Sequence, residues 1–208
     1  MKKSKRVKKS NSWKIKQHRD QFFKKSKTLG YRSRASFKLI ELNKKFNFIK
    51  KDINLLDIGS SPGGWSQVVA KIIKRGKIMS LDINDMEPLK NVKFFKGDIL
   101  EKKTKIEVSK YFDTGLDVII SDMAADTTGN KSLDSIRTNQ LCADVINFSK
   151  EMLKPKGVLV SKIFMGEDFI EVKDLAKSVF YKVNFFKPKS SRKESKETYL
   201  HCEILKSL

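Results

Sequence analysis

The chain has 208 residues, enough for one domain with a sizeable buried core, and carries 45 Lys+Arg against 24 Asp+Glu, a formal net charge of +21. No run approaches the ~20 apolar residues of a membrane-spanning helix, and the basic N-terminus lacks the apolar stretch of a secretory signal. Cys142, Cys202, His18 and His201 have no spacing that assembles a zinc site, so no metal is expected, and reduced, buried cysteines suit a cytoplasmic protein.

The charge is uneven. Residues 1–50 hold 18 Lys+Arg against two acids, Asp20 and Glu41, so +16 of the +21 lies in the first quarter. Lysine outnumbers arginine 38 to 7, which points to a general lysine drift, but clustering of this kind fits a polyanionic partner, nucleic acid first and an anionic membrane surface second.

Met1 to Ser12 is Lys/Ser-rich with almost no apolar content and reads as a disordered tail. Trp13 to Lys27 carries Trp13, Ile15, Phe22 and Phe23 among lysines and suits a basic helix. Residues 1–30 are therefore taken as a basic, partly disordered arm and 31–208 as one folded domain. Ser33 to Phe46 places Ala35, Leu39, Leu42 and Phe46 at helical spacing, with Ser33 as N-cap.

Strands and helices then alternate. Strands are expected at Ile53 to Ile58, Lys77 to Ile83, Val92 to Lys96, Leu116 to Ser121, Val158 to Phe164, Val183 to Lys187 and Thr198 to Leu205. Helices are expected at Ser66 to Ile73, Ser135 to Leu153 (stopped by Pro155 and Gly157) and Phe169 to Val179. The run Val118-Ile119-Ile120 suits a parallel strand buried on both faces. This alternation predicts an α/β fold, seven strands in a mostly parallel sheet with helices on both faces.

Between the first strand and its helix lies Asp57-Ile58-Gly59-Ser60-Ser61-Pro62-Gly63-Gly64-Trp65-Ser66, a Gly-rich turn that lets a nucleotide-like ligand lie against bare backbone. It lacks the third glycine of the dinucleotide fingerprint and holds no Lys or Arg to neutralise a pyrophosphate. Acids stand at neighbouring strand ends: Asp57, Asp82, Asp98 and Asp122. In such sheets the ligand binds outside the carboxyl ends of the strands, and an acid-rich pocket suits a cation. A sulfonium with an amino-acid tail and adenosine, S-adenosylmethionine, meets these constraints. Asp82 is placed for the ribose hydroxyls and Asp98 for the adenine amino group. Taken alone, the glycines also fit a tight turn and the acids fit caps.

Five segments occur in order: Tyr31-Arg32-Ser33-Arg34-Ala35-Ser36-Phe37-Lys38-Leu39, the Asp57 to Ser66 loop, Ser121-Asp122-Met123-Ala124, Ser161-Lys162-Ile163-Phe164, and Lys187-Pro188-Lys189-Ser190-Ser191-Arg192 with Glu197. Together they resemble the FtsJ/RrmJ family of ribosomal RNA 2′-O-ribose methyltransferases, over residues 31–205. The resemblance implies a Rossmann-like methyltransferase fold, S-adenosylmethionine as cofactor, and cofactor contacts from Asp57, Gly59, Gly63, Gly64, Trp65, Asp82, Asp98 and Asp122. It also implies a Lys-Asp-Lys-Glu tetrad at Lys38, Asp122, Lys162 and Glu197, and for the bacterial members methylation of a uridine ribose in the A-loop of large-subunit ribosomal RNA. A cytoplasmic monomer acting on RNA within the large subunit is expected.

The chemistry accounts for the residue types. A ribose hydroxyl is a poor nucleophile until its proton leaves, whereas the sulfonium already provides a good leaving group, so alignment and help with one proton are needed. Lys162 is the candidate base, which requires its proton affinity to fall below that of a free lysine. Burial and Lys38 push it down, while Asp122 and Glu197 push it up and orient the lysines.

One departure is visible. Ala125-Asp126 stands where family members carry Pro-Asn, which is expected to loosen that loop. For RNA, the arm with Arg32, Arg34 and Lys38, and a second patch of Lys187, Lys189, Arg192 and Lys193, are expected as phosphate contacts. Trp13, Phe22 and Phe23 suit either base stacking or packing onto the domain. Two further readings fit the same residues less completely: a 2′-O-methyltransferase of transfer RNA or a messenger cap, and a non-catalytic RNA-binding assembly protein.

Overall fold

The computed structural model describes residues 20–206; the tail at Met1 to Ser12 and the part of the Trp13 to Lys27 segment before Asp20 lie outside them. The first described element is α1 (Gln21–Thr28). Its N-cap is Asp20, whose Oδ1 accepts the backbone N–H of Phe22 and Phe23 at 3.0 and 3.2 Å. α2 (Ala35–Phe46) follows and ends at Asn47 in the left-handed region. The cap of α2 is Arg34 without a side-chain bond, not Ser33 as the sequence predicts, because the Ser33 hydroxyl lies against Gly64 instead.

β1 (Leu55–Ile58), α3 (Gly64–Ile72), β2 (Ile78–Asp82), β3 (Lys93–Lys96), α4 (Lys102–Tyr111), β4 (Leu116–Ser121), α5 (Lys131–Met152), β5 (Leu153–Phe164), α6 (Phe169–Val179), β6 (Phe180–Phe186) and β7 (Glu197–Leu205) complete the described chain. The seven strands form one sheet in the order β3-β2-β1-β4-β5-β7-β6. β1 to β5 run parallel, and β7 is antiparallel to both β5 and β6. Every residue of β1 and β2 is buried, as expected for parallel strands covered on both faces.

Side chains alternate between two cores with the strand period of two. Leu56, Ile58 and Ile119 pack with Val108 of α4, Cys142, Val145 and Ile146 of α5, and Val172 and Ala176 of α6. Leu55, Val118, Ile120 and Tyr199 pack on the other side with Leu39 and Leu42 of α2 and Trp65, Val68 and Val69 of α3. The sheet is thus sandwiched between α4, α5 and α6 on one face and α2 and α3 on the other.

Three expectations are corrected. α4 is absent from the sequence reading; it buries only Thr104 and Val108 and carries four lysines, so it shows little apolar periodicity. α5 begins at Lys131 rather than Ser135, capped by Asn130, whose Oδ1 accepts from Ser132 and Leu133 at 3.1 and 3.3 Å. β5 begins at Leu153, ahead of Pro155 and Gly157. Its register against β4 jumps from Leu116↔Leu153 to Val118↔Val158, so Pro155 sits in an irregular stretch where no ladder bond is lost.

Candidate active site

The order of the sheet reverses between β1 and β4, and there the loops after β1, β2, β3 and β4 line a cavity of about 820 Å3. Its walls include Gly59, Asp82, Asp98 and Asp122, four of the residues expected at the cofactor. They also include Asp126 and Asp144, so five carboxylates face one guanidinium, Arg137, within a chain of net charge +21. The cleft is an acidic site on a basic protein.

Backbone contacts shape its floor. Gly59 has φ +72°, and a Cβ there would drive into the Met123 side chain. Its N–H and that of Ser60 both donate to the Leu81 carbonyl, at 2.8 and 3.2 Å. Asp82 Oδ2 accepts the N–H of Ser61 at 2.8 Å and Oδ1 that of Asn84 at 2.7 Å. One carboxylate therefore ties the Gly-rich loop to the end of β2 while lining the cavity. Asp98 Oδ1 accepts the N–H of Leu100 at 2.9 Å.

The remaining expected cofactor residues lie outside the cavity lining. Asp57 is buried and accepts the Ser66 hydroxyl at 2.6 Å; burial raises its pKa to about 7, with Asp122 and Asp82 adding to the rise. Trp65 is buried in the α2–α3 core and donates Nε1–H to the Ala35 carbonyl at 2.8 Å. Gly63 has φ +103°, and a Cβ there would meet Arg32 Nη1 at 2.7 Å; Gly64 lies against Ser33 and Ser36. These four support the loop from behind.

Beside the cavity, four expected catalytic residues from four elements converge. Lys162 Nζ, at the end of β5, lies 2.7 Å from Asp122 Oδ1, donates to the Asp122 carbonyl at 2.8 Å, and lies 3.6 Å from Glu197 Oε2. Lys38 Nζ, from α2, lies 2.7 Å from Glu197 Oε2 and 3.9 Å from Asp122 Oδ1. Lys162 is 7 % and Glu197 8 % exposed, so these charges have little water to screen them.

Two neighbours complete the cluster and are missing from the sequence reading. Tyr199 donates its hydroxyl to Asp122 Oδ1 at 2.5 Å, and Ser191 donates to Glu197 Oε1 at 2.8 Å. Tyr199 stands two residues after Glu197 on β7, hence on the same face of the strand, and that spacing was the signal available for it.

Burial and charge act in opposite directions on this cluster. Burial works to lower the Lys162 pKa, but Asp122 and Glu197 outweigh it and hold the ammonium above the ordinary lysine value. Burial likewise works to raise Asp122 and Glu197, yet Lys162 and Lys38 hold both below the ordinary carboxylate range. Burial and Asp122 hold the Tyr199 phenol protonated. Of the opposing influences that the residue types imply, the two carboxylates outweigh burial and favour the charged form of Lys162.

The loop after Asp122 is tied down despite Ala125-Asp126. Ala125 N–H donates to Thr138 Oγ1 at 3.2 Å, Arg137 Nη1 to the Asp126 carbonyl at 3.2 Å, and Asp134 Oδ1 accepts both the N–H and the hydroxyl of Thr128, at 2.7 and 2.8 Å. Helix α5 supplies the fixation that proline was expected to give.

Residues 31–204 match the family model described as FtsJ-like methyltransferase. The chain belongs to the FtsJ-like methyltransferase family. Similar curated proteins include the ribosomal RNA large subunit methyltransferase E of Pelagibacter ubique, 44% identical over 197 residues and covering 95% of this chain and 97% of that protein. The protein of the same name from Rickettsia akari is 40% identical over 202 residues, covering 94% and 89%. Among solved structures, a ribosomal RNA methyltransferase of Plasmodium falciparum superposes with TM-score 0.75 at 33% identity, covering 84% of this chain and 98% of that one. Human methyltransferase-like protein 13, solved with SAH, shares the fold at TM-score 0.57 and 15% identity, covering 81% and 79%.

As a member of the FtsJ-like methyltransferases the protein is an enzyme, and its cleft fits S-adenosylmethionine. The five acids suit a ligand that carries a sulfonium and an ammonium, and an anionic dinucleotide would meet a single guanidinium.

Two arginines expected at RNA phosphates are engaged elsewhere. Arg32 donates to the carbonyls of Pro62, Glu87 and Pro88 at 3.2, 2.6 and 2.9 Å, and Arg34 bonds Asp20 and the Ser190 carbonyl. Phe22 packs on Phe37 with ring centroids 5.6 Å apart. Lys187, Lys189, Arg192 and Lys193 of the second patch are exposed, although Lys187 Nζ bonds the Ser195 carbonyl at 2.6 Å. No helix of the described residues is long and apolar enough to cross a membrane.

Proposed function

We propose that this methyltransferase methylates the 2′-hydroxyl of a uridine ribose in the A-loop of large-subunit ribosomal RNA, with Lys38, Asp122, Lys162 and Glu197 as its catalytic residues. S-adenosylmethionine, when bound, supplies an electrophilic methyl group on a sulfonium leaving group. Asp82, Asp98, Asp122 and the Gly59 backbone would hold it, with Asp57, Gly63, Gly64 and Trp65 supporting their loop. The observation that carries the reading is the interlocked pair of ion pairs, Lys162–Asp122 and Lys38–Glu197, each at 2.7 Å beside the acidic cleft.

The residues divide the work. Lys38 and Glu197 orient the ribose hydroxyl beside Lys162. Lys162, having first released its own proton to solvent, accepts the hydroxyl proton. That release requires Asp122 to be drawn toward another cation, because Asp122 is the strongest of the charges holding Lys162 protonated. Asp122 both lines the cleft and pairs with Lys162, so the cofactor and the base share one carboxylate.

The RNA substrate class follows the names of the relatives and the clustered N-terminal charge. Within that reading the enzyme acts as a cytoplasmic monomer on RNA assembled in the large subunit, and residues 1–30 form an RNA-binding arm on the domain at 31–208. Labelled S-adenosylmethionine offered with naked ribosomal RNA, immature large subunits and transfer RNA tests it. Label is expected in the ribosomal RNA, with the 2′-O-methyluridine found in the A-loop fragment. Label in transfer RNA alone would remove the substrate assignment.

A further inference from the structure

Arg34, Lys38 and Glu41 follow one another at i, i+4 and i+7 from the N-cap of α2, and so share one helix face. Lys38 reaches Glu197 directly. Glu41 and Arg34 instead grip the loop that joins β6 to β7. Glu41 Oε2 accepts the N–H of Lys189 at 2.6 Å, Glu41 Oε1 accepts that of Ser190 at 3.0 Å, and Arg34 donates to the Ser190 carbonyl. The next residue, buried Ser191, donates its hydroxyl to Glu197 Oε1 at 2.8 Å.

The two oxygens of Glu197 are therefore fixed by different routes. Lys38 holds Oε2 from the helix, and Ser191 holds Oε1 from the loop. The Ser191 hydroxyl is only as well placed as the backbone it hangs from. That backbone is anchored just upstream by two charge-assisted bonds to a single carboxylate, the stronger kind of hydrogen bond. Farther along, the loop is tied mainly to itself, through Lys187 Nζ to the Ser195 carbonyl and Glu197 N–H to Ser195 Oγ. A slackened loop would let the Glu197 carboxylate turn about its Lys38 contact, and misplacement of a catalytic group by about 1 Å can cost ~100-fold in rate.

We propose that Glu41 is a positioning residue for the methyl transfer, acting through the backbone of Lys189 and Ser190 and the hydroxyl of Ser191 to set the orientation of Glu197. The inference rests on the reading of Glu197 as part of the active site.

The test compares full-length wild type with Glu41→Ala, Ser191→Ala, the Glu41→Ala/Ser191→Ala double variant and Glu197→Ala. Methyl transfer to large subunits is measured at saturating S-adenosylmethionine as a function of subunit concentration. Cofactor affinity by calorimetry and thermal melting run in parallel. Glu41→Ala is expected to lower kcat by about 10- to 100-fold with KM for the subunit and cofactor Kd nearly unchanged. Ser191→Ala should do the same, and the double variant should be no slower than the worse single one, because both break one chain of contacts. An undiminished kcat in folded Glu41→Ala would overturn the proposal, as would losses that multiply in the double variant. If Glu41→Ala does not fold, Glu41→Gln replaces it with the same expectation, since its NH2 group would face one of the two backbone N–H donors that the two carboxylate oxygens now serve. A fully active Glu197→Ala would remove the reading of the site itself. Inactive Glu197→Ala beside fully active Glu41→Ala would remove only the role given to Glu41.

Discussion

Lys162 Nζ touches Asp122 twice, at 2.7 Å from the Oδ1 carboxylate oxygen and 2.8 Å from the main-chain carbonyl. Both contacts come from the residue that directly follows β4 and opens the cavity-lining loop. The lysine is thus fixed in direction and kept charged by a group that also faces the cleft.

Lys162→Ala should abolish turnover, by about 100- to 10,000-fold if proton transfer is lost. Lys162 itself does not line the cleft, so the cofactor Kd should change little. Calorimetry beside labelled-methyl transfer separates the two. A large loss of cofactor affinity would mean that Lys162 belongs to the cofactor site.

Tyr199→Phe probes the shared carboxylate. The Tyr199 hydroxyl donates to Asp122 Oδ1, the oxygen that also pairs with Lys162. Without that donor, Asp122 attracts the Lys162 proton more strongly, so the lysine is neutral less often at a given pH. Single-turnover rates should fall by roughly 3- to 10-fold near neutral pH, about one kcal/mol for one hydrogen bond, and recover as pH rises. A loss that is the same at every pH would show that Tyr199 acts only by packing.

Asp82→Ala should weaken cofactor binding by about 10- to 100-fold, as expected for a lost charged hydrogen-bond partner. The same change frees the Ser61 and Asn84 amides, so the loop after β1 should become more open to proteolysis or hydrogen exchange. With saturating cofactor, kcat should stay within a few-fold of wild type, because Asp82 has no contact with the Lys162 cluster. Unchanged affinity would leave Asp82 with the turn-forming role alone.

Much of this was legible in the sequence because parallel strands covered on both faces leave a plain signature. Leu55-Leu56-Asp57-Ile58 and Val118-Ile119-Ile120 are short apolar runs with an acid near the carboxyl end, Asp57 within the first and Asp122 two residues after the second, on the two strands between which the sheet order reverses. The Gly-rich loop was legible because Gly59 and Gly63 carry positive φ. α4 was not, since among its solvated lysines only Thr104 and Val108 are buried, too little to give an apolar periodicity. The charge of Lys162 was also out of reach: it depends on a balance between burial and two carboxylates that only three-dimensional placement decides. The Glu41 grip on Lys189 and Ser190 spans about 150 residues of sequence and acts on backbone amides, which carry no residue-type signal.

Asp57 gives a pH dependence of stability with a definite sign. It is fully enclosed below the Gly-rich loop, with the Ser66 hydroxyl on Oδ2 and that hydroxyl 2.7 Å from Ser80 Oγ. Burial first, then Asp122 and Asp82, raise its pKa to about 7. The folded protein therefore holds a proton there that the unfolded chain releases near pH 4. Between those values the native state binds more protons than the unfolded state, so this group's contribution to stability falls as pH rises from about 4 to about 7 and is constant above. The full displacement corresponds to an upper bound of ~4 kcal/mol. Asp57→Asn keeps an acceptor for Ser66 without the titration. Its stability relative to wild type should rise across that pH window and level off above it. Urea unfolding of both proteins from pH 4 to 8 measures the difference, and a difference that stays constant with pH would show that Asp57 is ionised throughout.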